Sequence, residues 1–396
     1  MADASLAALS ATEAAAEMAR GTISAEDYTR ACLERIAAVE GEMHAFIHFD
    51  PDYAIAQARA LDERRRNGQP IGPLHGVAVA IKDIFDTADY QTECGSPLLK
   101  GRRPVRDCTA VARLRAAGAV IIGKSVTTEF AYFHPGATRN PHDPERTPGG
   151  SSSGSAAAVA AGMVSLAIGS QTNGSVIRPA SFCGVYGVKP THGTISRHGA
   201  LILSMALDHV GVFARSLADC ALILDVLAGY DAEDPDARPS ASPEFRTTAA
   251  DKPPSPPRLA FVCTPVWDKA DAEARAAFEA LAKRLGDAVK PVDLPETFAA
   301  AWADQRVIMY TDMAHNFGAL VERGGDASSK QLRDLVAEGS RNSVLRYLAA
   351  RDGALRYRAG LADILKDYDA ILTPSAPGVR RKAPPPAIQL SIRFGL

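Results

Sequence analysis

Several signals that would mark a function class at once are missing from this sequence. Its six cysteines (Cys32, Cys94, Cys108, Cys183, Cys220 and Cys263) form no CxxC pair and no zinc-ligand spacing, so they read as reduced, mostly buried thiols. No apolar run reaches the roughly 18 residues that a membrane-spanning helix needs. The first twenty residues have neither a basic start nor an unbroken apolar segment, which argues against a signal peptide. The nine histidines include no HExxH. With 44 basic and 46 acidic residues the formal charge is −2, which gives no electrostatic reason to expect nucleic acid or a membrane as partner. The basic triplets Arg64–Arg66 and Arg380–Lys382 read as solvated faces. What is left, 46% hydrophobic and 23% charged over 396 residues, suits a globular chain. A cytoplasmic protein that needs no metal or other cofactor is expected.

What the sequence does contain is concentrated between Pro148 and Pro190. There, two Gly/Ser-rich turns are separated by a short apolar helix beginning at Ala156 and a short apolar strand, Val164 to Ile168. Glycine beside serine lets a backbone take positive φ and approach a ligand closely, so this pattern marks a site rather than a linker.

Around it, residues 2–42 read as helical, with Ser24 and Asp27 as a capping box. The alternation from His44 to Phe49 predicts a strand, which argues against His44 and His48 sharing a metal. A helix is predicted over 52–66, ending at Asn67 and Gly68. The Pro-, Asp- and Ser-rich stretch 231–257 reads as a surface connection. A strand at Arg258–Cys263 follows, then helices near 271–285, 298–322 and 328–366. No internal repeat is found. The expectation is one α/β domain over 1–396: a helical part (1–70), a core (71–230), the connection, and a remainder (258–396).

His75 to Asp83 is the second informative stretch, five apolar residues followed directly by Lys82. A lysine at the end of a buried strand must snorkel to water, pair with an acid such as Asp83 or Asp86, or lose its proton. From this stretch alone, snorkelling or pairing is favoured.

Two formal motif matches are set aside. Gly118–Ser125 fits the P-loop expression GxxxxGK[ST], but its inner residues Ala119–Ile122 look like a strand and a helical stretch precedes them, the reverse of what a P-loop requires. Gly150–Gly154 fits GxSxG around Ser152, but a polar loop stands where a nucleophile elbow needs a buried strand.

Three pieces, GVAVAIKD around Lys82, PGGSSSGSAAA around Ser151 and NGSVIRPASFCGVYGVKPT around Ser175, resemble the amidase signature family of Ser-Ser-Lys amide hydrolases. The two serines stand 24 residues apart, the separation that family uses. The resemblance implies a mixed central sheet covered by helices on both faces. It also implies Ser175 as nucleophile, Ser151 after a cis peptide as bridging serine, and Lys82 as the terminal, neutral base. A hydroxyl is a poor nucleophile until an adjacent base takes its proton, so the set is chemically coherent. The turn Thr172–Asn173–Gly174–Ser175 would supply the oxyanion hole. Glu129, Phe130 and Tyr132, with Phe133, are candidates for substrate contact.

The activity implied is hydrolysis of a small-molecule carboxamide without a cofactor, by a chain that could form a homodimer. Two other readings stay open, a subunit delivering ammonia within an amidotransferase and a catalytically inactive fold. Two departures from the family pattern stand out. Gln171 and Ile177 replace its usual acid and arginine, with Arg178 one place further on. The tail RRKAPPPAIQLSIRFGL resembles nothing in the family, and a shortened C-terminal end is expected.

Overall fold

The computed structural model describes residues 5–239 and 243–378. Its first helices are set by local caps. Helix α1 (Ala11–Arg20) opens on a reciprocal capping box in which Ser10 Oγ accepts from Glu13 N and Glu13 accepts from Ser10 N. Helix α2 (Ala25–Met43) opens on Ser24, whose hydroxyl accepts from Asp27 N. The Asp27 carboxylate takes the Ser24 hydroxyl, so the reciprocal box expected there is found at Ser10 and Glu13 instead. His44 ends α2 in the left-handed region at φ 50°, and strand β1 (Phe46–Phe49) begins beyond it, which puts His44 and His48 on different elements. Helix α3 (Pro51–Arg66) starts with proline at its first position and Asp50 accepting from Tyr53 N.

The sheet is then built by β2 (Ala78–Lys82), helix α4 (Thr109–Ala116), β3 (Val120–Ser125), α5 (Ser153–Ala160), β4 (Leu166–Gln171), α6 (Ile177–Cys183), β5 (Tyr186–Val188) and β6 (His209–Ala214). Spatial order is β1-β3-β2-β4-β6-β5. The inner pairs β2/β3 and β2/β4 are parallel, while β1/β3, β4/β6 and β5/β6 are antiparallel, so the sheet is mixed. Every residue of β2 and β3 is buried. Because successive side chains point to opposite faces, both faces of these strands are covered. The Gly118–Ser125 match coincides with β3 behind helix α4, so it is a strand and no P-loop.

Helix α7 (Leu217–Leu227) packs on the sheet and leads into the predicted connection, which is tied down more than its composition suggests. Asp231 accepts from Thr109 and Ser196, Asp234 pairs with buried Arg197 at 2.6 Å, and a short helix α8 (Phe245–Ala250) packs on α7. A second, parallel sheet has the order β8-β7-β9, formed by β7 (Leu259–Phe261), β8 (Val289–Pro291) and β9 (Ala370–Leu372). Helix α9 (Ala272–Leu285) connects β7 to β8, and helices α10 (Ala301–Gly324), α11 (Lys330–Gly339) and α12 (Val344–Ile364) precede β9.

The single helix expected over 328–366 is therefore two. Gly339 lies so close to α10 that a Cβ would meet the Tyr310 carbonyl oxygen at 2.0 Å, and Ser343 recaps the chain by accepting from Arg346 N. The tail RRKAPPPAIQLSIRFGL, and with it the expected shortened end, lies outside the described residues. Among the described residues, no helix is long and apolar enough to cross a membrane.

Candidate active site

Lys82 is the last residue of β2, opposite Ser125 on β3, and its neighbour Ile81 is opposite Ile168 on β4. Because β2 and β4 run parallel, their carboxyl ends open at the same edge of the sheet, the usual place for a site in such folds. The Lys82 side chain is 0% exposed, with Nζ 2.8 Å from Ser151 Oγ and 2.8 Å from Ser170 Oγ. It neither snorkels nor pairs. Asp83 lies 3.3 Å from Lys124, and Asp86 lies 2.7 Å from Arg102. Neither snorkelling nor pairing, the outcomes favoured from the strand alone, is what the structure shows. Burial pushes the Lys82 ammonium down to about 7, partly opposed by the charge of Asp208.

The loop carrying Ser151 is fastened to the same strand ends. The Gly150–Ser151 peptide bond is cis. Ser152 Oγ donates to Ser170 O at 3.2 Å and accepts from Ser170 N at 3.3 Å, so this hydroxyl holds the loop on β4. No strand precedes it, and the elbow match fails as expected. Gly154 donates to Val126 O, and a Cβ there would lie 2.2 Å from the Ala45 carbonyl oxygen, so only glycine allows the loop to seat.

Ser175 comes from the turn after β4. Gly174 has φ 101°, a conformation that favours glycine. Thr172 Oγ1 donates to Asp208 Oδ1 at 2.6 Å, and Asp208 Oδ2 accepts from Leu203 N and Ser204 N. Burial raises the Asp208 carboxyl to about 6 despite these three donors. Gln171 Oε1 accepts from Val176 N at 3.0 Å and Ile177 N at 3.1 Å, caring for the first amides of α6 without a charge. Arg178 Nε donates to Gly150 O at 3.0 Å, and its Nη2 reaches Asn173 O at 3.2 Å. One guanidinium therefore joins the two serine-bearing loops. Replacement of the family's charged pair is accommodated by a neutral acceptor at 171 and a relocated cation at 178. Among the described residues, the backbone N–H groups of Asn173, Gly174 and Ser175 donate to no protein acceptor.

Ser151 and Ser175 line one cavity of about 350 Å³. Their hydroxyls are not hydrogen-bonded to one another among the described residues. Thr172, Asn173 and Arg178 share the wall with Tyr132, Phe133 and Phe182. Of the four candidates for substrate contact, Tyr132 and Phe133 line this cavity, the Tyr132 hydroxyl 2.6 Å from that of Tyr310 on α10. The other two do not. Phe130 is fully buried against Phe317, with ring centroids 5.0 Å apart. The Glu129 carboxylate accepts from Ser96 Oγ and Ser329 N, fastening α11 to the core. Phe130 and Ala131 both have positive φ, and this reversal separates an inward Phe130 from Tyr132 on the cavity wall.

Sequence reasoning missed Ser170, Asp208 and Arg178 as parts of the site. None was signalled by local pattern: Ser170 shares a strand face with Ile168, which is paired with Ile81, so side-chain alternation does not place it beside Lys82. No group of three or more His, Cys, Asp or Glu side chains among the described residues could hold a metal ion.

Together these features define an α/β protein with a serine-lined cavity at the carboxyl ends of its parallel strands. The chain belongs to the amidase family, whose profile matches residues 27–387. It is 46% identical over 245 residues to a glutamyl-tRNA(Gln) amidotransferase subunit from Chloroflexus aurantiacus, covering 60% of this chain and 50% of that protein. It is 48% identical over 230 residues to the corresponding subunit of Acidothermus cellulolyticus, covering 57% and 46%. The chain thus spans about half the length of the curated relatives it matches. Among solved structures, it resembles a chain of an inhibitor-bound vestigial protein complex said to reveal the evolutionary origins of an s-triazine catabolic enzyme, at 33% identity and TM-score 0.88, covering 94% of this chain and 83% of that one. It also resembles the peptide amidase of Stenotrophomonas maltophilia at 31% identity and TM-score 0.80, covering 93% and 84%.

Proposed function

We propose that this protein hydrolyses a carboxamide through an acyl-enzyme on Ser175. The observation that supports it most is Lys82, buried without an acid partner and within 2.8 Å of Ser151. A neutral amine there donates one hydrogen to Ser170 and keeps its lone pair for the Ser151 hydroxyl. Ser151 passes its proton to Lys82 Nζ and takes the proton of Ser175, whose Oγ adds to the amide carbonyl carbon. The oxygen of the tetrahedral intermediate accepts from the unengaged N–H groups of the 173–175 turn, a type of contact whose loss typically costs about 10²–10³ in rate. Collapse breaks the C–N bond while the relay returns the proton to the leaving amine. Water then attacks the Ser175 ester by the same route, releasing the carboxylate.

A second reading is favoured by the two amidotransferase relatives just described, in which this chemistry supplies ammonia within a larger assembly. One experiment separates the cases. The purified chain is treated with a fluorophosphonate probe, and the labelled peptide is read by mass spectrometry beside Ser175→Ala. Labelling at Ser175 that disappears in the variant is expected. A folded chain that is not labelled would overturn the nucleophile assignment and leave the inactive reading. Amide hydrolysis by the chain alone, without a partner or ATP, supports the hydrolase over the ammonia-delivering role.

A further inference from the structure

A second cavity, of about 910 Å³, adjoins the turn after β4, and of its lining residues only Thr172 also lines the cavity of Ser151 and Ser175. Its wall is cationic. Lys189 directly after β5, Arg238 in the connection, and Arg351 and Arg358 on α12 line it, together with His192 and His209. The one carboxylate of the wall, Asp236, is already taken by buried Arg197 at 2.6 Å. Among the described residues none of the four cations forms an ion pair. Lys189 donates to the carbonyl of its neighbour Pro190 at 3.0 Å and Arg351 to the Tyr347 hydroxyl at 3.2 Å, both neutral partners. Burial lowers the Lys189 ammonium, and burial followed by the charge of Lys189 pushes His209 down to about 4.

Exposed arginines along one helix are ordinarily a solvated face. Here three segments far apart in sequence bring their cations to one concavity. Like charges gathered against a protein wall repel one another more strongly than in open water, and an anion among them relieves that repulsion. The fold also holds the arrangement in place. Arg197 pairs with Asp234 and Asp236, fixing the chain two residues before Arg238, and it donates to Met205 O at 2.7 Å on the loop that lines the same cavity. Arg351 and Arg358 stand two turns apart on one side of α12, a rise of about 10 Å, which suits an anion with more than one charged group. The guanidinium fork matches phosphoryl oxygens in pairs. A basic concavity on a chain of net charge −2, with no extended basic face, favours a small ligand over nucleic acid.

We propose that this cavity binds a small molecule carrying a diphosphate or two phosphoryl groups, held by Lys189, Arg238, Arg351 and Arg358. The site is separate from that of Ser175 and does not depend on the proposed hydrolysis.

The test is calorimetric titration of the full chain with inorganic pyrophosphate at about 0.1 M salt, where exposed charges are screened but a cavity retains its pull. One site with a Kd of about 10–100 μM is expected, with orthophosphate and citrate at least about tenfold weaker. The double variant Arg351→Gln/Arg358→Gln should lose at least about tenfold in affinity, and Arg238→Gln, from a separate segment, about tenfold by itself. Arg64→Gln/Arg66→Gln, which removes two exposed cations from the end of α3, should bind as the parent does and so exclude a general effect of net charge. No turnover is measured, so failure of the hydrolytic reading leaves the outcome standing. Absence of saturable pyrophosphate binding, affinity unchanged in both cavity variants, or tighter binding of citrate than of pyrophosphate would overturn the proposal. Binding of transfer RNA through the same arginines by a chain that ignores pyrophosphate would overturn it too, and would make the cavity part of an RNA surface.

Discussion

Replacing Lys82 by methionine is expected to stabilise the fold while abolishing activity, and the gain should depend on pH in a way no other residue can imitate. In the unfolded chain a lysine titrates near 10.5, and in the fold burial brings Lys82 down to about 7. Between those values the unfolded state binds more protons than the folded one, so stability contributed at this position rises with pH. Below pH 7 both states are charged, and the fold bears the full cost of burying the ammonium. At about 1.4 kcal/mol per tenfold difference in proton affinity, that cost is on the order of 5 kcal/mol. Methionine matches the length and apolar stem of lysine and removes the charge, losing the bonds to Ser151 and Ser170 at about 1 kcal/mol each. A net gain of about 3 kcal/mol at pH 6 follows, or roughly 4 °C in Tm for a chain of this size. By pH 9 the advantage should have shrunk by nearly all of that, at about 1.4 kcal/mol per pH unit above 7. The assay is thermal or urea unfolding of both proteins at half-unit pH intervals from 6 to 9.5. A difference independent of pH, or a variant less stable at pH 6, would falsify the neutral-lysine argument.

Two further perturbations test the supports of the site. Of the charges acting on Lys82, that of Asp208 is the largest, holding the lysine up, while Arg178 acts the other way. In Asp208→Asn the acid limb of the kcat/KM profile, which rises as Lys82 loses its proton, should therefore move to lower pH; an unmoved or alkaline-shifted limb contradicts this. Gln171→Leu leaves the amides of Val176 and Ile177 without their acceptor, so stability should fall by about 1–3 kcal/mol and kcat with it. Gln171→Glu keeps both bonds and should restore most of the loss, and a glutamate variant no better than leucine would show that the amides do not need the side chain.

The catalytic candidates and the core strands were legible because they are local patterns. The apolar run before Lys82, the two Gly/Ser turns and the 24-residue spacing stand out in one dimension, since a buried strand and a tight glycine turn each impose composition on consecutive residues. The false P-loop could be rejected for the same reason, its inner residues being those of a strand. Single-position choices were harder to read. That Phe130 points into the core and Tyr132 into the cavity depends on positive φ at two non-glycine residues, which composition does not announce. The division of 328–366 into two helices depends on how closely Gly339 approaches the Tyr310 carbonyl across α10.

The sequence by itself determined the mixed α/β fold class, the strand that ends in Lys82 and the two serine turns. Only the tertiary structure decided the surroundings of Lys82, because snorkelling, pairing and deprotonation differ in what surrounds Nζ, and those neighbours come from β4 and the 148–155 loop. The same holds for Arg178. Its place one residue beyond the expected arginine was visible in the sequence, but that it joins the Gly150 and Asn173 loops and meets no acid follows from contacts between segments nearly thirty residues apart. Charge compensation is a property of the packed neighbourhood, and a one-dimensional pattern carries no record of which charges stay unpaired.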